Sequence, residues 1–270
     1  MTIGSEHGIS AYIEGIGLIG PGFVDWPSSR AVLAGEALYQ PQKTILPVPE
    51  LLPAAERRRS SDITKLSLAT MLEAITSAGL ESASLPSVFT SSSGDGYNCH
   101  AINVMLASED REISPTRFHN SVHNAASGYC SIATGAMAPS SVLCAYDGSF
   151  SAGLLEALTQ VAVDNTRCVL VAGDTGYPEP MHSVRKVYDA LGIALVLAPE
   201  QGVHAIAKIS ASLTDVEASL LEDTVLEALR LSIPAARGLP LLHALALNEP
   251  GKVVLDYLGS TRLTVAINPC

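Results

Sequence analysis

The stretch that most constrains the fold is residues 138–153, APSSVLCAYDGSFSAG. It predicts a short apolar strand over 141–146, a sharp turn at Asp147-Gly148 and a helix that begins at Ser149. Such an elbow exposes one side chain at a helix N-terminus, where backbone N–H groups and the helix dipole favour negative charge. Enzymes place a thiolate or an activated hydroxyl there. Here the turn carries Asp147, a poor nucleophile for acyl transfer, whose alternative role is to cap the helix.

Strand and helix patterns alternate along the rest of the chain. Strands are predicted at 12–19, 86–90, 167–172, 192–198 and 204–213, two more within 252–268, and helices at 62–78, 97–106, 120–134 and 215–231. The alternation indicates a layered α/β domain with a mostly parallel sheet between helices. Because no linker interrupts the pattern, we expect residues 1–270 to form a single domain.

The composition excludes several classes of function. A net charge of −11 argues against nucleic acid or an anionic membrane as a partner. No apolar run approaches the roughly 20 residues that cross a bilayer, and the N-terminus lacks a signal-peptide profile, so we expect a cytoplasmic protein. The five cysteines form no CxxC pair, which predicts reduced, mostly buried thiols. No cluster has metal-ligand spacing, and neither a metal nor a cofactor is predicted.

Ordered landmarks along residues 11–212 give the chain a family resemblance. They are GIGLIGPG in the first strand, KLSLATMLEAITSAGL in a helix, the turn SSSGDG, then ISPTRF, NAASGYCSIATG, APS, VLVAGD and GIALVLAPE. In order and spacing these motifs resemble the β-ketoacyl synthases of fatty-acid and polyketide synthesis. The resemblance implies a thiolase-like, layered α-β-α fold in which residues 213–270 form an abbreviated second half.

The same resemblance identifies what occupies the catalytic position. In the family the nucleophilic cysteine lies eight residues after the proline of a (G/A)PS motif, and counting from Pro139 reaches Asp147. The family's two catalytic histidines lie in later motifs. This sequence has no HGT motif, and His243, in a helix-like stretch, is its only histidine after residue 213. The resemblance therefore implies that this chain alone does not catalyse decarboxylative condensation.

Some polyketide systems pair an active ketosynthase with an inactive homologue, the chain length factor, which has lost the nucleophile and shapes the end of the acyl tunnel. This chain resembles the shorter proteins of that kind in bacterial aryl polyene and related pigment clusters. The resemblance implies a heterodimer with an active ketosynthase. An acyl carrier protein is expected to dock mainly on that partner, because carrier proteins are acidic and this chain carries −11.

The resemblance also places the helix after SSSGDG near the dimer interface. Tyr97, His100 and Val104 have i, i+3, i+7 spacing and so share one helix face. A bulky side chain there would stop the growing chain, because forcing methylenes into a filled cavity costs about 1–3 kcal/mol. The alternative to a tunnel role for Tyr97 and His100 is that both are ordinary core residues. A second helix face, formed by Phe118, Asn120, Val122 and His123, is expected to pack at the same interface. The tunnel and interface candidates are Tyr97, His100, Val104, Met105, Phe118 and His123.

Three other functions stay open at this stage. The chain can be an active thiolase-fold acyltransferase or decarboxylase that uses Cys144 or a residue from another chain. It can be a purely structural subunit that stabilises a ketosynthase, or a homodimeric acyl-binding protein. The position of Cys144 inside the predicted strand favours a buried, unreactive thiol over a nucleophile.

Overall fold

The structure, a computed structural model, describes residues 8–270. The strands are β1 (Ile9–Ile19), β2 (Ser87–Thr90), β3 (Ser140–Leu143), β4 (Cys168–Asp174), β5 (Leu191–Ala198), β6 (Ala207–Thr214), β7 (Gly251–Asp256) and β8 (Arg262–Pro269). The helices are α1 (Trp26–Leu33), α2 (Ala54–Arg59), α3 (Asp62–Ser77), α4 (Gly96–Ala107), α5 (Pro115–His119), α6 (Ala125–Thr134), α7 (Ser149–Asp164), α8 (Met181–Val184), α9 (Thr224–Ser232) and α10 (Leu239–Leu247).

All these strands join one sheet, in the order β3-β2-β4-β5-β1-β6-β8-β7. Two of the seven strand pairings are parallel, those of β2 with β3 and with β4, and the other five are antiparallel. The prediction of a mostly parallel sheet is therefore wrong. Parallel neighbours need a long crossover, whereas only residues 257–261 separate the neighbouring strands β7 and β8. The first strand, β1, lies between β5 and β6 and is antiparallel to both.

Helices cover both faces of the centre of the sheet. Along β4, Val169 and Val171 pack in a cluster with α3, while Leu170 and Ala172 pack with α7 on the opposite face. This alternation is what a strand with two buried faces requires. It also explains why β4 and β5 read as continuous apolar runs in the sequence. The arrangement is the layered α-β-α architecture expected from the sequence.

The close contact between α3 and β1 depends on glycine. A Cβ atom at Gly17 would lie 2.1 Å from the backbone oxygen of Thr70, and one at Gly15 would lie 2.0 Å from that of Ala74. Backbone atoms of α3 therefore occupy the space that a side chain would need. This packing fixes α3 against the strand at the centre of the sheet.

Gly17→Ala is expected to lower the free energy of unfolding by about 1–3 kcal/mol, because α3 must move away from β1. Urea unfolding followed by circular dichroism measures the change. Gly128→Ala in α6 is the matched control, since no atom lies within 4 Å of its added Cβ. Equal stabilities of the two variants would contradict this account of the packing.

Several predicted boundaries and burial states are corrected by the structure. The helix predicted from residue 120 begins at Ala125, after the separate helix α5, and the helix predicted from residue 215 begins at Thr224. The cysteines are not mostly buried: Cys130 and Cys168 are, whereas the exposed thiols are those of Cys99, Cys144 and Cys270. Across residues 8–270, no helix combines the length and apolar character needed to cross a membrane.

Candidate functional site

The predicted elbow is confirmed. Strand β3 ends at Leu143, three residues earlier than predicted, a 3₁₀ turn covers Tyr146–Gly148, and α7 begins at Ser149. Tyr146 has a φ of +53°, a left-handed conformation that is strained for a bulky side chain. The Ser149 hydroxyl stabilises the turn, because it accepts the Ala145 N–H at 3.1 Å and donates to the Tyr146 carbonyl at 2.7 Å.

Glycine at position 148 lets the elbow pack against the C-terminal part of the chain. A Cβ there would lie 2.3 Å from the carbonyl oxygen of Tyr257, which follows β7. The turn is thereby in direct contact with the segment between β7 and β8. A cleft of about 300 Å³ opens at this contact, lined among others by Tyr146, Asp147 and Arg237.

The Asp147 carboxylate forms an ion pair and does not cap α7. The N-cap of α7 is Gly148, with no side-chain capping bond, so the capping alternative is wrong. Oδ1 of Asp147 instead accepts a hydrogen bond from Nη2 of Arg185. The Arg185 guanidinium also lies 3.7 Å from the ring centre of Tyr146, a cation–π contact. The carboxylate at the position implied for the nucleophile is thus paired with a guanidinium that itself lies over an aromatic ring.

A second, buried carboxylate lies beside the elbow. Asp174 ends β4 and is 1% exposed. Its Oδ1 accepts the Ser91 hydroxyl at 3.1 Å and the Ser92 N–H and hydroxyl at 2.8 and 2.7 Å, while Oδ2 accepts the Ala235 N–H at 2.9 Å. Burial raises the pKa of Asp174 to about 6, and these hydrogen bonds oppose the increase.

The two carboxylates belong to one network. Arg185 Nη1 donates to the Tyr177 hydroxyl at 3.3 Å, and that hydroxyl lies 2.9 Å from the Ser92 hydroxyl bound to Asp174. The sequence analysis missed Asp174, since an aspartate after a strand resembles an ordinary loop residue. The sequence did contain one indication of its importance. Asp174 is the last residue of VLVAGD, an apolar strand buried on both faces, and a carboxylate in that position needs hydrogen-bond donors nearby.

Cys144 is more exposed than predicted. It follows β3 instead of lying within it, and its thiol is exposed. The Sγ–H donates to the Ser92 carbonyl at 3.1 Å. Within residues 8–270, neither Cys144 nor Asp147 has a hydrogen bond to a histidine. The thiol therefore lacks the neighbouring base that activates cysteine nucleophiles.

Four of the tunnel candidates lie on α4, which projects from the body of the protein. The buried residues of α4 are Gly96 and Asn98. Tyr97 is 58% exposed and Val104 56% exposed, and His100 and Met105 are partly buried. The core alternative for Tyr97 is therefore wrong in the isolated chain, whereas the role of this helix face at a tunnel or an interface stays a prediction.

The other candidates do not form the helix face that was predicted around residues 118–123. Phe118 lies on α5 and is 67% exposed, whereas His123 lies in the exposed turn before α6. Asn120 between them is buried, because its side chain donates to the Arg59 carbonyl and accepts from the Tyr129 hydroxyl. The structure does bring His123 beside Gly94 of the SSSGDG turn, 3.5 Å from where a Cβ would lie.

A larger cleft of about 440 Å³ lies beside Tyr97 and is lined among others by Arg58 and Arg117. In the described part of the chain, no three His, Cys, Asp or Glu side chains are arranged to bind a metal ion. Asp147, Arg185 and Asp174 are linked to one another through the hydroxyls of Tyr177 and Ser92. The chemistry of this network is that of an ion pair and a buried acceptor, not of an activated nucleophile.

A comparison with family profiles decides the family. The profile of the β-ketoacyl synthase N-terminal domain matches residues 28–246. The chain belongs to the β-ketoacyl synthase family. No curated protein gives a significant match.

Solved ketosynthase structures share the fold. One is the ketosynthase ApeO in complex with its chain length factor ApeC from Xenorhabdus doucetiae, with a TM-score of 0.72 and 21% identity over 95% of this chain and 99% of that chain. A second is the ishigamide ketosynthase/chain length factor, with a TM-score of 0.72 and 11% identity over 96% and 99%. A third is AntDE:AntF, a type II acyl-carrier protein with its ketosynthase, with a TM-score of 0.70 and 11% identity over 97% and 99%. The predicted thiolase-like ketosynthase fold is confirmed.

The buried Asp174 carboxyl should make stability depend on pH. Its raised pKa means that the folded state binds more protons than the unfolded state between about pH 4 and 6. Stability from this group is therefore present at low pH and is lost as pH rises, by about 2 kcal/mol between pH 4 and 7. Urea unfolding of wild type and Asp174→Asn across that range should show this slope in wild type relative to the variant. Parallel pH profiles would contradict the burial argument.

Proposed function

We propose that this chain is a non-catalytic, chain length factor-like subunit that pairs with an active ketosynthase and forms part of its acyl tunnel. The observation that carries the proposal is Asp147. At the position that the family gives to its nucleophile, this chain holds a carboxylate in an ion pair with Arg185. In this reading the partner supplies the cysteine and both histidines.

The chemistry of the elbow supports this assignment. Condensing enzymes need a thiolate that attacks an acyl thioester and a base that assists it. The Asp147 carboxylate is instead bound to the Arg185 guanidinium, which lies over the Tyr146 ring. Within the part of the chain that the structure covers, its hydrogen-bond partner is Arg185 and not a histidine.

The surface around α4 supports a protein partner. Exposed apolar side chains come from α4, α5 and the residues up to β3: Tyr97, Val104, Leu106, Phe118, Val122, Ile132 and Met137. Strand β3 is the end strand of the sheet and pairs on one side only, with β2. An unpaired strand edge beside exposed apolar residues is typical of an interface. We propose that the ketosynthase covers this surface, over an area on the order of 2,000 Å² or more.

Two of the related structures are described as ketosynthases with a chain length factor, and a third contains an acyl carrier protein. By analogy we propose a polyketide system of the aryl polyene or fatty-acid-like kind, located in the cytoplasm, in which residues 1–270 act as one domain. The carrier protein docks mainly on the ketosynthase, since the −11 charge of this chain disfavours an acidic partner.

Co-expression with the ketosynthase encoded beside it tests the pairing. We expect the two chains to purify together, and an acyl thioester substrate to label only the ketosynthase. The same substrate added to this chain alone should leave it unmodified by intact mass spectrometry. Acylation and elongation by the isolated chain would refute the proposal.

The exposed thiol of Cys144 favours one rival, an active acyltransferase, because it lies three residues before Asp147. That rival predicts acylation of the isolated chain, lost in Cys144→Ala. The non-catalytic proposal predicts the same product and rate for the Cys144→Ala complex and the wild-type complex.

The tunnel role is tested at α4. Tyr97→Ala is expected to lengthen the product of the reconstituted complex, because it removes a side chain that would otherwise fill the end of the tunnel. Val104→Ala should act in the same direction, with Val163→Ala on α7, 75% exposed, as its matched control. Mass spectrometry of the carrier-bound chains measures product length. An unchanged distribution in Tyr97→Ala, Val104→Ala and His100→Ala would favour a purely structural subunit.

A further inference from the structure

We propose that Asp147 is a positioning residue for α4: through Arg185 and Tyr177 it fixes the turn that carries the tunnel candidates and thereby influences product length. The proposal rests on the function proposed above, because product length is its readout. Under this proposal the Asp147 carboxylate, at the position implied for the nucleophile, has a specific structural role. That role is distinct from simple loss of the nucleophile.

The first link is the contact between Asp147 and Arg185. The Arg185 side chain is 19% exposed and that of Asp147 44% exposed, so the pair is partly screened by water and adds little to global stability. Its geometry is nevertheless well defined. Arg185 contacts the carboxylate with Nη2, the Tyr177 hydroxyl with Nη1 and the Tyr146 ring with its planar face. Because these three contacts fix the orientation of the guanidinium, it also fixes the orientation of the groups that it binds.

The second link runs from Arg185 to the SSSGDG turn. Tyr177 is 4% exposed, and its hydroxyl lies between Arg185 Nη1 at 3.3 Å and the Ser92 hydroxyl at 2.9 Å. Its ring packs against Gly96, the first residue of α4, where a Cβ would lie 3.4 Å from Tyr177 Cδ1. Tyr177 therefore contacts both ends of the turn between β2 and α4. A shift of the Tyr177 hydroxyl would move or release Ser92.

The third link is the way in which α4 is held. Its buried residues, Gly96 and Asn98, lie in its first turn. There the Asp95 carboxylate accepts the Asn98 N–H at 2.9 Å, and the Asn98 side chain donates to the Arg117 carbonyl at 2.8 Å. The whole 12-residue helix is about 18 Å long, and most of that length lies beyond the anchored first turn. A small rotation of the first turn is therefore amplified at Val104 and Met105.

A simpler account is that Asp147 only tethers the loop that contains Arg185. A control in the same loop separates the two accounts. Glu179 accepts hydrogen bonds from the Ser183 N–H at 3.2 Å and the Ser183 hydroxyl at 2.5 Å. Glu179→Gln weakens this loop without touching Tyr177, Ser92 or α4. The positioning account predicts an effect from Asp147 and Tyr177 variants and none from Glu179→Gln.

The experiment uses the reconstituted complex of this chain with its ketosynthase, the cognate carrier protein and malonyl units. We expect Asp147→Asn, Arg185→Gln and Tyr177→Phe to change the ratio of the longest product to the next shorter one by at least about twofold. Asp147→Glu, which keeps a carboxylate for Arg185, should retain most of the wild-type ratio. Glu179→Gln should match wild type.

Hydrogen exchange of the same complexes gives an independent readout. The amides of residues 96–107 should exchange at least about twofold faster in Asp147→Asn and Tyr177→Phe than in wild type or Glu179→Gln. Tyr177→Phe keeps the buried ring, so the comparison remains possible even if the charge variants fold poorly.

The outcomes separate the two proposals. If Tyr97→Ala changes product length while the Asp147, Arg185 and Tyr177 variants leave both readouts unchanged, the positioning role is wrong and the chain length factor-like function stands. An equal effect of Glu179→Gln would also overturn the positioning role, in favour of loop tethering. If no complex forms, or if Tyr97→Ala, Val104→Ala and His100→Ala all leave product length unchanged, the proposed function fails and the positioning role fails with it.

Discussion

The buried carboxylate of Asp174 is the contact on which the candidate site depends. It ends the central strand β4 and accepts hydrogen bonds from Ser91 and Ser92 on one side and from Ala235 on the other. A buried carboxylate without donors would be strongly unfavourable, so its partners are held tightly. Three distant parts of the chain meet there: the turn after β2, the end of β4 and the 3₁₀ segment Pro234–Gly238. The elbow also contacts the segment after β7, because Gly148 lets the Tyr257 carbonyl approach it.

The backbone of the elbow has the strand–turn–helix form that covalent enzymes use, but its side chains have a different chemistry. Its strained turn and the helix that follows are present, and the N-terminus of α7 would favour an anion. The anion in this chain is a carboxylate, and its charge is neutralised by Arg185. The outcome is a charge-balanced cluster at the position that the family resemblance implies for the nucleophile. In our proposal this cluster holds the SSSGDG turn and the start of α4 in place.

The α4 surface has the opposite character. Its helix is largely apolar, yet only its first turn is buried, and the neighbouring end strand β3 has one unpaired edge. Apolar exposure and an open strand edge are unfavourable in water. A partner that covers both would complete the fold as well as the function. The site we describe and the surface we assign to a ketosynthase are connected through Tyr177 and the SSSGDG turn.

The sequence by itself determined the elbow, the layered α/β class and the family, because these follow from local spacing and ordered motifs. It predicted the wrong strand directions, since alternating patterns do not report which strands become neighbours in the sheet, as when β1 pairs with β5 and β6. It placed Asp147 in a cap and Cys144 in a strand, and it missed Asp174. Only the tertiary structure decided those three, because their partners, Arg185, Ser92 and Ala235, lie between 38 and 61 residues away in sequence. Contacts of that range arise from packing, which no local pattern encodes.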